Sequence, residues 1–204
     1  MDFVGALHDQ LLGRPRTMKF LLLLFLSLAG YARGQSDFRA FTGTEVLVEG
    51  GLVDKLTVVY GNLKFNVRPP KGWYRQVDAA SRKIIFRSPT GKSAVTVQFT
   101  TNSPGTLPER DILKTLVLQE HPGAGIYNCA VCPTSYRPGL FFDLATMPAP
   151  HVIQRIRHAF VTQPAGEVEF VLSASDDEFQ KDISLVMSML RAFQVEPVKA
   201  KPQQ

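Results

Sequence analysis

The chain has 204 residues, of which 45% are hydrophobic and 20% are charged, and its formal net charge is +5. This length and hydrophobic content fit one domain with extensions. The positive charge is mild and evenly spread, and no basic run carries interleaved aromatic side chains. We therefore exclude a nucleic-acid-binding protein.

An apolar segment near the N-terminus indicates export. The segment Phe20–Ala29 is a ten-residue apolar run that follows three basic residues. A small-x-small pattern at residues 32–34 predicts cleavage between Gly34 and Gln35. We therefore expect residues 1–34 to be a signal peptide and the mature protein to be extracytoplasmic, either periplasmic or secreted.

Two alternatives remain open for this segment. An uncleaved anchor is one, although the run is shorter than the roughly 20 residues that a membrane-spanning helix needs. The second concerns the start of translation, because Met18 and Lys19 directly precede the apolar run and give a more usual signal-peptide layout. After cleavage we expect no stable membrane span.

Hairpin signals dominate the first half of the mature chain. Within residues 35–51 we expect a linker from Gln35 to Gly43 and then a short strand at Thr44–Glu49. Two pairs of alternating strands follow, each pair separated by glycine-containing turns. The predicted strands are Leu56–Tyr60 with Leu63–Val67, and Arg82–Arg87 with Ala94–Phe99.

A helix and an irregular segment occupy the middle of the chain. Thr106–Glu109 matches a capping box, and the helix it opens ends at His121-Pro122-Gly123. Ala124–Pro138 is the least regular region, and Leu140–Ala145 predicts a buried strand. The apolar face of the helix consists of Ile112, Leu113, Leu116 and Val117.

The segment 152–193 predicts the unit on which the rest of the domain packs. Ile153–Thr162 and Glu167–Ala174 alternate as a hairpin around the turn Gln163–Gly166. On the first strand the predicted core face carries Ile156, His158 and Phe160. The opposite, solvated face carries Arg155, Arg157 and Val161.

A long amphipathic helix closes this unit. Ser175–Glu178 matches a second capping box, and Pro197 prevents any continuation. We expect a single α/β domain at residues 52–195 and a flexible polar tail at 196–204. The predicted buried face of the helix consists of Phe179, Ile183, Val186, Met187, Leu190 and Phe193.

The order of elements predicts an α+β fold with a mainly antiparallel sheet and helices packed against it. Three segments, Phe65–Trp73, Ile85–Pro89 and Ser188–Phe193, together with the central helix, resemble the PsbP/DcrB-like family. The resemblance covers about Leu56 to Phe193. It implies an α/β/α sandwich that binds partners, and it brings no catalytic residues to this chain.

The Cys129-Ala-Val-Cys132 motif is the sharpest local feature, and it lies outside the family pattern. A redox dithiol is disfavoured because Pro138 leaves room for barely one helical turn after the motif. A local disulfide between Cys129 and Cys132 suits an exported chain, and it would add only about 2 kcal/mol of stability. Two free thiols are the alternative.

A zinc site would need two ligands besides the cysteines, and the candidates are His121, His151 and His158. These histidines form no second ligand pair at short spacing, so the sequence predicts no metal. A nucleophile elbow and a phosphate-binding glycine loop are also missing from the sequence. We therefore assign no catalytic residues and no cofactor.

Two hypotheses for the function follow. The first is an exported, non-enzymatic binding or accessory protein whose partner is an unknown protein or small ligand. The second is a thiol-dependent or metal-dependent activity that uses Cys129 and Cys132. The first is favoured because the structural signals are complete and the sequence carries no catalytic constellation.

Overall fold

The computed structural model describes residues 38–101, 106–135, 137–163 and 166–198. The predicted signal peptide and the cleavage site at Gly34 and Gln35 lie outside the described residues. No helix among the residues described is both long and apolar enough to cross a membrane.

Eleven strands and two helices make up the described ranges. The first sheet-forming segments are β1 (Arg39–Val46), β2 (Leu52–Tyr60), β3 (Leu63–Val67), β4 (Tyr74–Asp78), β5 (Lys83–Arg87) and β6 (Ser93–Thr101). The helix α1 (Arg110–Glu120) precedes β7 (Gly125–Cys132), β8 (Gly139–Ala149), β9 (Val152–Gln163) and β10 (Gly166–Ser175). The chain closes with α2 (Asp176–Ala192) and β11 (Gln194–Pro197).

The described strands form two sheets, and every pairing in them is antiparallel. The small sheet has the order β1-β2-β3-β11, and the large sheet has the order β4-β5-β6-β10-β9-β8-β7. The α+β class with a mainly antiparallel sheet is therefore confirmed.

One face of the large sheet builds the main core. The helix α2 and the small sheet contribute to the same buried cluster. Ring contacts of Phe193, at the end of α2, join the helix to both sheets. Its ring centre lies 5.4 Å from that of Phe170 in β10, edge to face, and 6.1 Å from that of Phe65 in β3, stacked. Buried side chains of the cluster include Val58, Phe86, Val97, Val161, Leu172, Phe179, Val186 and Leu190.

The opposite face of the large sheet carries a second, smaller core under α1. Leu113 and Val117 of the helix pack with Phe142, Ile156 and Phe160 of the sheet. The large sheet therefore has α2 on one face and α1 on the other, which is the expected α/β/α arrangement. On α1 only half of the predicted apolar face is buried, since Ile112 is 52% exposed and Leu116 is 46% exposed.

The strand β9 lies between these two cores and is buried on both faces from Ile156 to Gln163. The prediction that Arg157 is solvated is therefore wrong, because its side chain is only 6% exposed. Arg157 pairs directly across the sheet with Asp143 of β8. Its Nε and one terminal nitrogen donate to the two carboxylate oxygens at 2.6 and 2.8 Å, and Asn128 donates to the same carboxylate at 2.9 Å.

Several strands extend beyond the sequence prediction or were missed by it. The linker prediction is wrong from Arg39 onwards, where β1 already pairs with β2. The segment predicted to be irregular contains β7, which pairs with β8. Glu196 and Pro197, predicted to be in the tail, belong to β11 and pair with β3. These strands are short or lie at sheet edges, where periodicity is weak.

Neither predicted capping box is formed. The first helix begins at Arg110 with Glu109 as its N-cap, downstream of Thr106. At α2, Ser175 is the N-cap as expected, but its side chain makes no capping hydrogen bond. The backbone N–H of Ser175, which Glu178 was expected to satisfy, donates to the Lys92 carbonyl at 3.1 Å instead. The strand β10 thus runs directly into the helix.

The buried ion pair gives a direct test of this architecture. We expect Arg157→Met to lower the free energy of unfolding by about 3–5 kcal/mol, because it leaves the Asp143 carboxylate buried without its counter-charge. The double variant Asp143→Asn with Arg157→Met should recover most of this loss. Urea unfolding followed by circular dichroism measures both effects.

The exposed pair between Lys92 and Asp177 provides the matched control, since these side chains are 53% and 61% exposed. We expect Lys92→Met to leave the urea midpoint nearly unchanged because solvent screens the pair. A loss for Lys92→Met as large as that for Arg157→Met would contradict the burial of the Arg157–Asp143 pair.

Candidate functional site

A groove of about 730 Å³ lies where the C-terminal end of α1 approaches the β8–β9 hairpin. Its volume falls within the range of small-molecule sites, about 300–1,000 Å³. The apolar side chains of Met147 and Ile153 at this end are 74% and 41% exposed. The groove is lined by Glu120, His121, Pro122, Gly123, Ala145, Thr146, Met147, Pro148, Ile153 and Arg155.

Arg155 lines a polar side of the groove, and one acidic and one aromatic neighbour hold its side chain in place. The Nε of Arg155 donates to Asp176 at 2.6 Å. The Arg155 guanidinium carbon lies 5.0 Å from the centre of the Tyr127 ring. Arg155 therefore contributes a fixed positive charge beside the exposed apolar side chains.

A pair of histidines lies at the α1 side of the groove. His121 follows the last residue of α1, and His158 is in the middle of β9 with 1% exposure. Their Nε2 atoms are 2.9 Å apart, although the residues are 37 positions apart in the chain. The rings meet edge to face with centres 5.0 Å apart.

Glu169 of β10 fixes the orientation of His158. The Nδ1 of His158 lies 2.6 Å from a carboxylate oxygen of Glu169. In the β9–β10 register, His158 faces Val171, so Glu169 is its diagonal neighbour on the same face. Because an ionised carboxylate only accepts hydrogen bonds, Nδ1 of His158 carries the proton in this contact. In the neutral ring its Nε2 is then an acceptor towards His121.

The environment of the pair favours a neutral His121. Burial lowers the pKa of His121, the neighbouring His158 lowers it further, and the Glu169 carboxylate opposes both. A neutral imidazole has a free lone pair on one ring nitrogen. A neutral His121 donates its Nε2–H to His158 in this arrangement and keeps its lone pair on Nδ1.

A third ligand-type side chain, Glu120, completes the cluster. A carboxylate oxygen of Glu120 and one nitrogen each of His121 and His158 all lie within 4.8 Å of one another. Glu120 is exposed, His121 is half-buried and His158 is buried, so the solvent exposure of the cluster decreases towards β9. Its residue types match those of protein sites for divalent transition metals.

The structure separates the cysteines. Cys129 and Cys132 are both free. They lie in β7, where an odd spacing places side chains on opposite faces of the sheet. Cys132 belongs to the main core, and Cys129 packs against the smaller core under α1. The predicted disulfide is therefore not formed, and the motif provides no shared pair of ligands.

The two thiols also differ in their surroundings. Burial raises the pKa of the Cys132 thiol. A Cβ atom at Gly139 would lie only 2.8 Å from the Sγ of Cys132 and 2.3 Å from the Phe160 carbonyl oxygen, so this packing requires glycine. Cys129 is half-buried, and its Sγ accepts a hydrogen bond from the Nε of Arg110 at 3.0 Å.

Of the three histidines predicted as ligand candidates, the structure joins only two. His151 lies in the β8–β9 turn with φ of 63° and is exposed. Sequence reasoning missed Glu120 and Glu169 as members of the cluster. A signal for Glu169 was present, because the hairpin register makes it a diagonal neighbour of His158. Glu120 gave no comparable signal beyond its position next to His121.

Comparison with known proteins concerns only the fold. No protein-family model matches the sequence, and no curated protein matches it. Among solved structures, the chain is similar to the solution structure of cyanobacterial PsbP (CyanoP) from Synechocystis sp. PCC 6803. The match has a TM-score of 0.47 and 14% sequence identity, and it covers 80% of this chain and 95% of that chain.

The placement of the cysteines predicts the result of a thiol titration. We expect two thiols per chain in denaturant without reductant, because the two side chains lie on opposite faces of β7. In the native protein Cys132 should react far more slowly than Cys129, since its side chain is buried in the core and its thiolate is disfavoured. A thiol-reactive chromophore measures both.

The variant Cys129→Ser serves as the control and should leave a single, slowly reacting thiol. Absence of any thiol in denaturant before reduction would contradict the separation of the two side chains.

Proposed function

We propose that the chain is an exported, non-enzymatic binding or accessory protein of PsbP-like fold, and that it binds its partner in the groove between α1 and the β8–β9 hairpin. The observation that carries this proposal is the composition of the groove. Exposed apolar side chains, Met147 and Ile153, lie beside charged and imidazole groups in one concave surface. Concave, mostly apolar surfaces with a few placed polar groups are typical of binding sites.

Packing supports a binding role for this end of the domain. Most large apolar side chains of the two helices and the central strands are used in the two cores. Met147 and Ile153 are instead exposed at the tip of a hairpin, together with Val152, which is 51% exposed. Contiguous exposed apolar groups rimmed by polar residues mark interaction sites.

Export rests on the sequence of the first 34 residues. We propose that the chain crosses a membrane by means of the apolar run Phe20–Ala29 and is cleaved between Gly34 and Gln35. The acting form then lies outside the cytoplasm. The partner is a protein segment or a small ligand that fits the groove.

Site-specific photocrosslinking in the cells that produce the protein tests the groove. A photoreactive benzoylphenylalanine at Met147 should yield a discrete adduct on irradiation, because the side chain projects beside the proposed binding surface. Benzoylphenylalanine in place of Val131 is the matched control, because Val131 is 63% exposed. Val131 lies near the C-terminal end of β7, whereas the N-terminal end of β7 pairs with Ala145 of the groove. We expect little or no adduct from position 131.

The same cells test export. The adduct should be found in the extracytoplasmic fraction, and intact-mass measurement should place the mature N-terminus at Gln35. Equal adducts from positions 131 and 147, or no adduct at 147, would contradict the assignment of the groove. A full-length chain retained in the cytoplasm would contradict export.

A further inference from the structure

The cluster at the end of α1 brings together three side chains that bind divalent transition metals in other proteins. The Nε2 atoms of His121 and His158 lie 2.9 Å apart and share one proton, which a metal ion bound by both nitrogens would displace to Nδ1 of His121 or to solvent. Two nitrogen ligands of a tetrahedral zinc ion at about 2.05 Å are separated by about 3.3 Å. To bind one ion, the two nitrogens must separate by about 0.4 Å and the His121 ring must turn from facing His158 to facing the ion.

The contact of His158 with Glu169 has the form of an outer-shell interaction at a metal site. Ligating histidines almost always donate their second ring N–H to a carboxylate, a carbonyl or water. Here the Nδ1 of His158 makes such a contact at 2.6 Å. This hydrogen bond leaves the lone pair of Nε2 facing His121.

The position of the cluster in the fold also favours a cation. Glu120 is the last residue of α1 and His121 is its C-cap. The C-terminal end of a helix carries partial negative charge, which stabilises a positive ion near the last turn. Glu120 and His121 also line the groove, so an ion can reach them from solvent.

We propose that Glu120, His121 and His158 bind one divalent transition-metal ion, for which Zn²⁺ is the best match, and that Glu169 positions His158 as a ligand. This inference goes beyond the proposed function, because it requires neither export nor a partner. Two imidazoles and one carboxylate suit Zn²⁺ and its neighbours in the first transition row. They do not suit Ca²⁺ or Mg²⁺, which take oxygen ligands. Neither Cys129 nor Cys132 belongs to this cluster.

Metal titration of the purified full-length chain, carrying no histidine tag, tests the site. Competition with a chromophoric chelator should give one Zn²⁺ per chain, and Ca²⁺ should not compete. The conservative variant Glu169→Gln should weaken Zn²⁺ binding about 10–100-fold, because it removes the charge that supports His158. Replacement of Zn²⁺ by Co²⁺ should give the visible absorption of a four-coordinate ion in the wild type, with water as the fourth ligand beside Glu120, His121 and His158.

The variant His121→Ala tests the ligand with the least risk to folding, since His121 lies at a helix end, whereas His158 is buried. It should abolish stoichiometric binding. Circular dichroism confirms that it is folded, and Zn²⁺ should raise the melting temperature of the wild type but not of this variant.

His151 supplies the matched control. The variant His151→Asn removes a histidine outside the cluster and keeps a residue type that tolerates the left-handed backbone at this turn. It should bind Zn²⁺ as tightly as the wild type. The proposal is overturned if the wild type binds no stoichiometric Zn²⁺, if His121→Ala binds as tightly as the wild type, or if His151→Asn loses binding to the same extent.

Discussion

The burial of β9 on both faces is the constraint on which the rest of the structure depends. The strands β8 and β10 pair with its two edges, and the two cores cover its two faces. An ionisable side chain in the buried part of this strand, Ile156 to Gln163, therefore needs a partner within the protein. Arg157 finds Asp143 on the face of the main core, and His158 finds Glu169 and His121 on the face of α1. His158 thus joins the interior of the domain, through His121, to the groove.

Local periodicity was sufficient to predict the parts of the fold that are most regular. The hairpin of β2 and β3, the hairpin of β9 and β10, and the amphipathic face of α2 were all indicated by alternation or by helical spacing. The prediction failed at Arg157, because alternation assigns side chains to faces but does not tell whether one or both faces are covered. It failed at β7 and β11 because strands at or near sheet edges are specified by their pairing partners.

The candidate site could be predicted only in part. His121 and His158 were named as candidate partners of the cysteines in a zinc site that the sequence did not favour. Their contact with each other depends on how α1 packs over β9. That packing is a tertiary feature and leaves no mark in the spacing of the sequence. The cysteine motif misled the prediction for a related reason. In an irregular loop, two cysteines three positions apart can approach each other, whereas in a strand the same spacing points them to opposite faces.

The contact by which Glu169 holds the ring of His158 links the core of the sheet to the cluster of His121 and Glu120. Long-range ¹H–¹⁵N correlation NMR of the histidine rings tests it directly, with the His151→Asn variant used to assign the signals. We expect His158 at neutral pH to be the tautomer protonated at Nδ1, with an Nε2 shift typical of a nitrogen without hydrogen. A His158 ring protonated only at Nε2, or one that exchanges freely between both tautomers, would contradict the account.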